Sequence, residues 1–106
     1  MPIAYDTNYV LSKQKNSMNF AANIYEPKSH RTLEIFTTQP GIQFYTGVHT
    51  KNQKGKNGNT YQPYSGLCLE TQHFPDAPNQ VNFESTILQK QDTYHHKLTY
   101  RFGVRK

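Results

Sequence analysis

The 106-residue sequence predicts an all-β fold arranged as an antiparallel β-sandwich. Two observations carry that prediction. Apolar and polar residues alternate with a period of two along much of the chain, the repeat of strands with one buried and one wet face. Between the alternating runs stand clusters of Pro, Gly, Asn and Ser, residues that reverse a chain. No amphipathic helix of useful length, internal repeat or low-complexity tract competes with this reading.

In chain order, residues 9–11 and 18–25 are the first short strand candidates. Residues 31–38 set Leu33, Ile35 and Thr37 on one side against Thr32, Glu34 and Phe36. Residues 41–48 place Ile42, Phe44, Thr46 and Val48 opposite Gln43 and Tyr45. The turns Glu26-Pro-Lys-Ser-His30 and Gln39-Pro-Gly41 are short enough to join antiparallel neighbours. Residues 49–65, rich in Gly, Asn and Gln, read as a mobile surface loop. A short strand over 67–70 leads into Phe74-Pro-Asp-Ala-Pro78, made rigid by its two prolines. Residues 85–88 are a further short candidate. Residues 93–104 alternate most cleanly, with Tyr94, His96, Leu98, Tyr100, Phe102 and Val104 predicted to form a buried face.

This length allows a single domain over 1–106, or part of one. Counted with Gly and without Tyr, apolar residues are about a third of the chain, against the usual ~45–50%. Eight Tyr and six Phe supply much of the remaining bulk. The composition therefore predicts a wet, β-rich scaffold or an incomplete core. The net charge of +5 comes from scattered lysines and arginines. No arginine cluster or basic stripe forms, so a nucleic-acid partner is not expected. Gly55-Lys56 lacks the spacing of a phosphate-binding loop. The single cysteine, Cys68, excludes an internal disulfide and fits a reducing compartment. With no membrane-length apolar run and no signal-peptide pattern, the expectation is a cytoplasmic protein without a membrane partner.

Glu70 and Cys68 share a strand face, with Leu67 and Leu69 on the other. Glu70 is either a polar strand-end residue or a carboxylate held in a cleft as a general base. Asp6, framed by Tyr5 and Tyr9, is either half of a turn-forming Asp/Asn pair or a carboxylate that accepts hydroxyl protons from a sugar. Gln43 either points to solvent or uses its amide, both donor and acceptor, on neighbouring hydroxyls. His95 and His96 face opposite ways, and His30, His49 and His73 lack a second ligand at metal spacing, so no metal is expected. Cys68 has no neighbouring cation to activate it and reads as a packed thiol.

Several segments resemble the aldose 1-epimerase (galactose mutarotase) family. Tyr5-Asp-Thr-Asn-Tyr-Val-Leu11 is similar to its Y-D-H-N-F-x-L segment. Arg31 to Gly47 is similar to R-x-L-E-V-x-T-T-x-P-G-x-Q-F-Y-T-G, and Lys54 to Tyr61 to K-G-K-x-G-x-x-Y. Gly66 to Asn79 is similar to G-x-C-L-E-T-Q-x-x-P-D-A-x-N. Thr7 departs from the family's His, and Val48-His49 from its Asn-Phe. The match covers nearly the whole chain and corresponds to the family's C-terminal third.

The resemblance implies the C-terminal part of a large antiparallel supersandwich and interconversion of the α and β anomers of aldoses such as galactose and glucose. It implies Glu70 as general base and Asp6 and Gln43 as residues holding the sugar, with no cofactor. The family's acid, a histidine upstream of Y-D-H-N, has no counterpart here, so the chain alone is expected to lack part of the catalysis. A truncated sandwich also leaves sheet uncovered and open to self-association. Two other readings stand beside this one: a non-catalytic carbohydrate-binding β-module, and a basic interaction module.

Overall fold

The computed structural model describes residues 2–12 and 17–106. Among these, eight strands form two three-stranded antiparallel sheets and a small hairpin. The first sheet has the order β1 (Asp6–Val10), β4 (Gly41–Tyr45), β7 (Cys68–Gln72). The second has the order β2 (Asn19–Glu26), β3 (Arg31–Thr37), β8 (Leu98–Val104). The hairpin joins β5 (Gln53–Lys54) to β6 (Thr60–Tyr61). The fold is all-β, as the period-two pattern predicts.

β3 and β4 are consecutive in the chain and central in different sheets. The corner between them, residues 38–40, therefore fixes how the two halves relate. Thr37 is completely buried and Gln39 nearly so. The Gln39 N–H donates to Thr37 Oγ1 at 3.0 Å. The Thr38 N–H donates to the Lys97 carbonyl, and the Lys97 N–H returns a bond to Thr38 Oγ1. Gln39 Nε2 donates to the Tyr94 hydroxyl at 3.1 Å, whereas its Oε1 is buried without a partner among the described residues. Side chains thus satisfy most of the polar groups that a buried corner would otherwise strand.

The β2–β3 turn is held by Glu26, whose carboxylate accepts the N–H groups of Lys28 and Ser29 at 3.0 and 2.7 Å. A hydrogen bond from the Ser29 side chain foremost, then these two backbone bonds, hold the Glu26 carboxyl below its ordinary range. On the outer face of the second sheet, the Arg101 guanidinium lies 4.9 Å from the Phe36 ring centre and 3.3 Å from Glu34. Across the other face run Ile24, Leu33, Ile35, Tyr100 and Phe102, in the rows set by strand pairing.

The core is thin. Among the described residues only Ile35, Ile42 and Ala77 are buried hydrophobics. The accessible surface is 8515 Å², against about 6,100 Å² for a compact chain of this mass. The radius of gyration is 16.7 Å, against about 13 Å for an ordinary domain of this length. The predicted buried face of the last strand is accordingly open: Leu98, Tyr100, Phe102 and Val104 share a face but remain 47–75% exposed. An open hollow of about 370 Å³ separates Leu67 and Leu69 from Ile24, Leu33, Ile35, Tyr100 and Phe102.

Three expected elements differ. Residues 85–88 form no strand, and Ile87 and Leu88 are exposed because no neighbouring strand pairs with them. The last strand begins at Leu98 rather than at 93, since β3 offers its ladder only as far as Thr37. The expected loop over 49–65 contains the β5–β6 hairpin, closed by a 2.7 Å bond from the Gly55 N–H to the Asn59 carbonyl. Gly55, without a side chain, lets the exposed Tyr61 ring lie over it.

Local geometry makes two of these contacts testable. A Cβ on Gly41 would stand 2.9 Å from Asn8 Oδ1 and 3.0 Å from the Phe74 ring. Gly41→Ala should therefore lower stability by about 1–3 kcal/mol in urea titration, the usual range for overpacking; an unchanged midpoint contradicts this. Asp76 accepts bonds from the side chains of Asn79 at 2.6 Å and Gln80 at 2.8 Å, which hold its carboxyl below the usual range. A folded-state value lowered in this way stabilises the turn above the ordinary Asp range, and that contribution is lost as pH falls from that range through the lowered value. Carbon NMR should show Asp76 titrating below a free aspartate, with the Asn79 side-chain amide signals moving in step. Titration at the ordinary value removes the proposed bonds.

Candidate functional site

Strand alternation and register build one polar face on the first sheet. Opposite residues in an antiparallel sheet project to the same side, as do residues two apart along a strand. The row Asn8, Gln43, Glu70 crosses all three strands, and the row Asp6, Tyr45, Cys68 lies beside it. Val10, Gly41 and Gln72 make the third row. Thr7, Tyr9, Ile42, Phe44, Leu69 and Thr71 take the other side, where Ile42 is buried and Phe44 packs on Tyr5 with ring centres 4.9 Å apart. Apolar residues on one side thus hold a carboxylate and amide array on the other.

The array is bonded together. Gln43 Nε2 donates to Asp6 Oδ1 at 2.7 Å. Gln72 Nε2 donates to Asn8 Oδ1 at 3.0 Å and to Gln43 Oε1 at 3.3 Å. Gly41, lacking a side chain, lets Asn8 and the Phe74 ring close over one end of the face. Tyr45 borders the other end. Its hydroxyl accepts the His49 N–H at 2.9 Å, and the two rings stack at 6.4 Å. Each row spans two interstrand gaps, about 10 Å, enough for one pyranose ring with its hydroxyls.

The structure places the three residues singled out from sequence, Glu70, Asp6 and Gln43, on this one face. Asp6 lies within β1, not in a turn. Gln43 is half-buried and bonded on both sides of its amide rather than pointing to solvent. Glu70 is exposed on an edge strand and, with Cys68, borders the open apolar hollow of about 370 Å³ rather than an enclosed cleft. Cys68, read as a packed thiol, is exposed because β7 has no outer neighbour. Sequence reasoning missed Asn8 and Gln72. The signal was available: each is two residues beyond a chosen carboxylate and so shares its face.

Three of the other histidines gather elsewhere. His73, His95 and His96 line an open hollow of about 590 Å³ with Ser85, Tyr94 and Asp92. His73 and His96 meet edge to face at 5.4 Å, and His73 Nε2 is 3.9 Å from Glu84. Among the described residues no three His, Cys, Asp or Glu side chains come together as metal ligands. No helix among them is long and apolar enough to cross a membrane.

The family profile described as aldose 1-epimerase matches residues 2–101. Galactose mutarotases of Mus musculus and Homo sapiens are each 44% identical over 101 residues, covering 94% of this chain and 29% of theirs. The aldose 1-epimerase of Escherichia coli is 26% identical over 100 residues, again 29% of its length. The crystal structure of an aldose epimerase homologue from C. elegans superposes with a TM-score of 0.86 at 28% identity, covering 97% of this chain and 31% of that one. The chain thus spans under a third of the length of these relatives and matches their C-terminal third. On the profile match and the shared motifs together, this chain belongs to the aldose 1-epimerase family.

Proposed function

We propose that the chain carries the base and the hydroxyl-holding residues of an aldose 1-epimerase site, serving the interconversion of α and β anomers of free aldoses. Galactose is the first candidate and glucose the second. The observation that carries this reading is the single polar face on which Glu70, Gln43 and Asp6 meet across three strands. Anomer exchange needs a base at the C1 hydroxyl and an acid at the ring oxygen. The ring opens, the C1–C2 bond rotates, and closure on the opposite face inverts C1.

Glu70 is the base in this reading, standing directly across the ladder from Gln43. Asp6 accepts sugar hydroxyls, and Gln43 both donates and accepts. The acid comes from outside these residues. Of the five histidines, His30 lies in the β2–β3 turn and His73, His95 and His96 lie at the separate hollow. His49 packs beside Tyr45 rather than among the carboxylates and amides. The bonded array is present without that acid, which also favours sugar binding without turnover by the isolated chain.

The open apolar face of β8 is where the rest of a sandwich would pack, and in isolation it pairs copies of the chain. The free, exposed thiol of Cys68 favours a reducing, cytoplasmic setting, which cell fractionation checks.

Grafted in place of the matching part of the mouse galactose mutarotase, this chain should restore galactose anomer exchange measured by NMR. Glu70→Gln in that graft should slow exchange by roughly 10²–10⁴-fold, the usual share of a positioned base. A folded graft whose rate ignores the substitution defeats the assignment of Glu70. By sedimentation, the isolated chain should run heavier than a monomer, and Phe102→Lys with Val104→Lys should return it to one. A monomeric unaltered chain rules out pairing through β8.

A further inference from the structure

The strip Gln72, Gln43, Asp6 determines how the polar face is aimed, and its role here rests on the reading of that face as a sugar site. An ionised carboxylate accepts hydrogen bonds and donates none. Gln43, 2.7 Å from Asp6 Oδ1, must therefore meet it with Nε2. Its Oε1 is then committed to the opposite side, where it needs a donor. Gln72 Nε2 is that donor, and its second hydrogen serves Asn8 Oδ1. Asp6 thus identifies which end of the Gln43 amide is nitrogen, and Gln72 supplies the donor that holds the oxygen end in place.

We infer that Gln72 is a positioning residue: its one amide group on β7 fixes the orientation of Gln43 and Asn8, and through Gln43 that of Asp6. It touches the sugar-holding groups from the neighbouring row of the same face rather than the reacting atoms. It sets which hydroxyls of an aldose meet a donor on this face and which meet an acceptor. A site built of oriented hydrogen-bonding groups rejects a mismatched ligand strongly, because its own polar groups are left unpaired. Gln72 therefore governs selectivity among aldoses through residues it holds.

Gln72→Met and Gln72→Glu separate this role from a merely structural one. Met removes both donors at similar length. Glu replaces the donor with a carboxylate, so Gln43 Oε1 and Asn8 Oδ1 each face an acceptor that cannot bond them and are pushed from their present positions. The test titrates D-galactose into the folded 106-residue chain and tracks side-chain amide signals by NMR. Gln72→Met should weaken binding about tenfold, as loss of hydrogen bonds of this kind does, and Gln72→Glu should weaken it further. Without sugar, the Gln43 amide signals should move in both variants. Variants that keep the affinity of the unaltered chain overturn the inference. If the unaltered chain binds no galactose, the sugar reading of the face fails, and the Gln43 signals alone decide. Unmoved in both variants, they overturn the positioning role; moved, they uphold it.

Discussion

The corner at residues 38–40 is the constraint on which the rest of the structure depends. It carries one continuous segment from the centre of one sheet, β3, to the centre of the other, β4. Every remaining strand of the two sheets pairs with one of those two. The corner is buried at Thr37 and Gln39, so its polar groups need partners within the chain. They find them in Thr37 Oγ1, the Lys97 backbone and the Tyr94 hydroxyl. Among the described residues Gln39 Oε1 is the exception, buried without a protein partner.

From that corner the site is set by parity. Once β4 starts at Gly41, Gln43 and Tyr45 take one side and Ile42 and Phe44 the other. A slip of one residue against β1 or β7 would send the carboxylates to the apolar side. Burial of Ile42 and the Tyr5–Phe44 contact oppose such a slip. The proposed sugar face is thus secured by packing on the other. The second sheet contributes an apolar face that is mostly open, consistent with the large surface and the extended radius of gyration.

Strand type and facing were legible in the sequence wherever alternation was strong, as in β3, β4 and β8. Extent was not, because a strand ends where its neighbour stops offering hydrogen bonds. Tyr94 and His96 continue the alternation of Leu98 and Tyr100, yet they turn to the corner, where Tyr94 meets Gln39 and His96 meets Thr38. Ile87 and Leu88 have strand propensity but no partner. At the site, Glu70, Asp6 and Gln43 were visible as residue types in motif context. Asn8 and Gln72 were hidden because strand boundaries stopped short of them: residues 9–11 omitted Asn8 and residues 67–70 omitted Gln72. The small core was foreshadowed by a composition poor in aliphatic residues, though nothing local to Phe102 or Val104 marks them as exposed.

Whether an aldose rests on the face shared by Glu70, Gln43 and Asp6 is tested most directly by a map of signal changes in the labelled chain as galactose is added. Changes should concentrate on the side chains of Asn8, Gln43, Tyr45 and Gln72, while the methyl groups of Ile42 and Leu69 on the reverse side stay still. Changes centred instead on the histidine-lined hollow or the apolar reverse side, or none in a folded chain, would contradict the account.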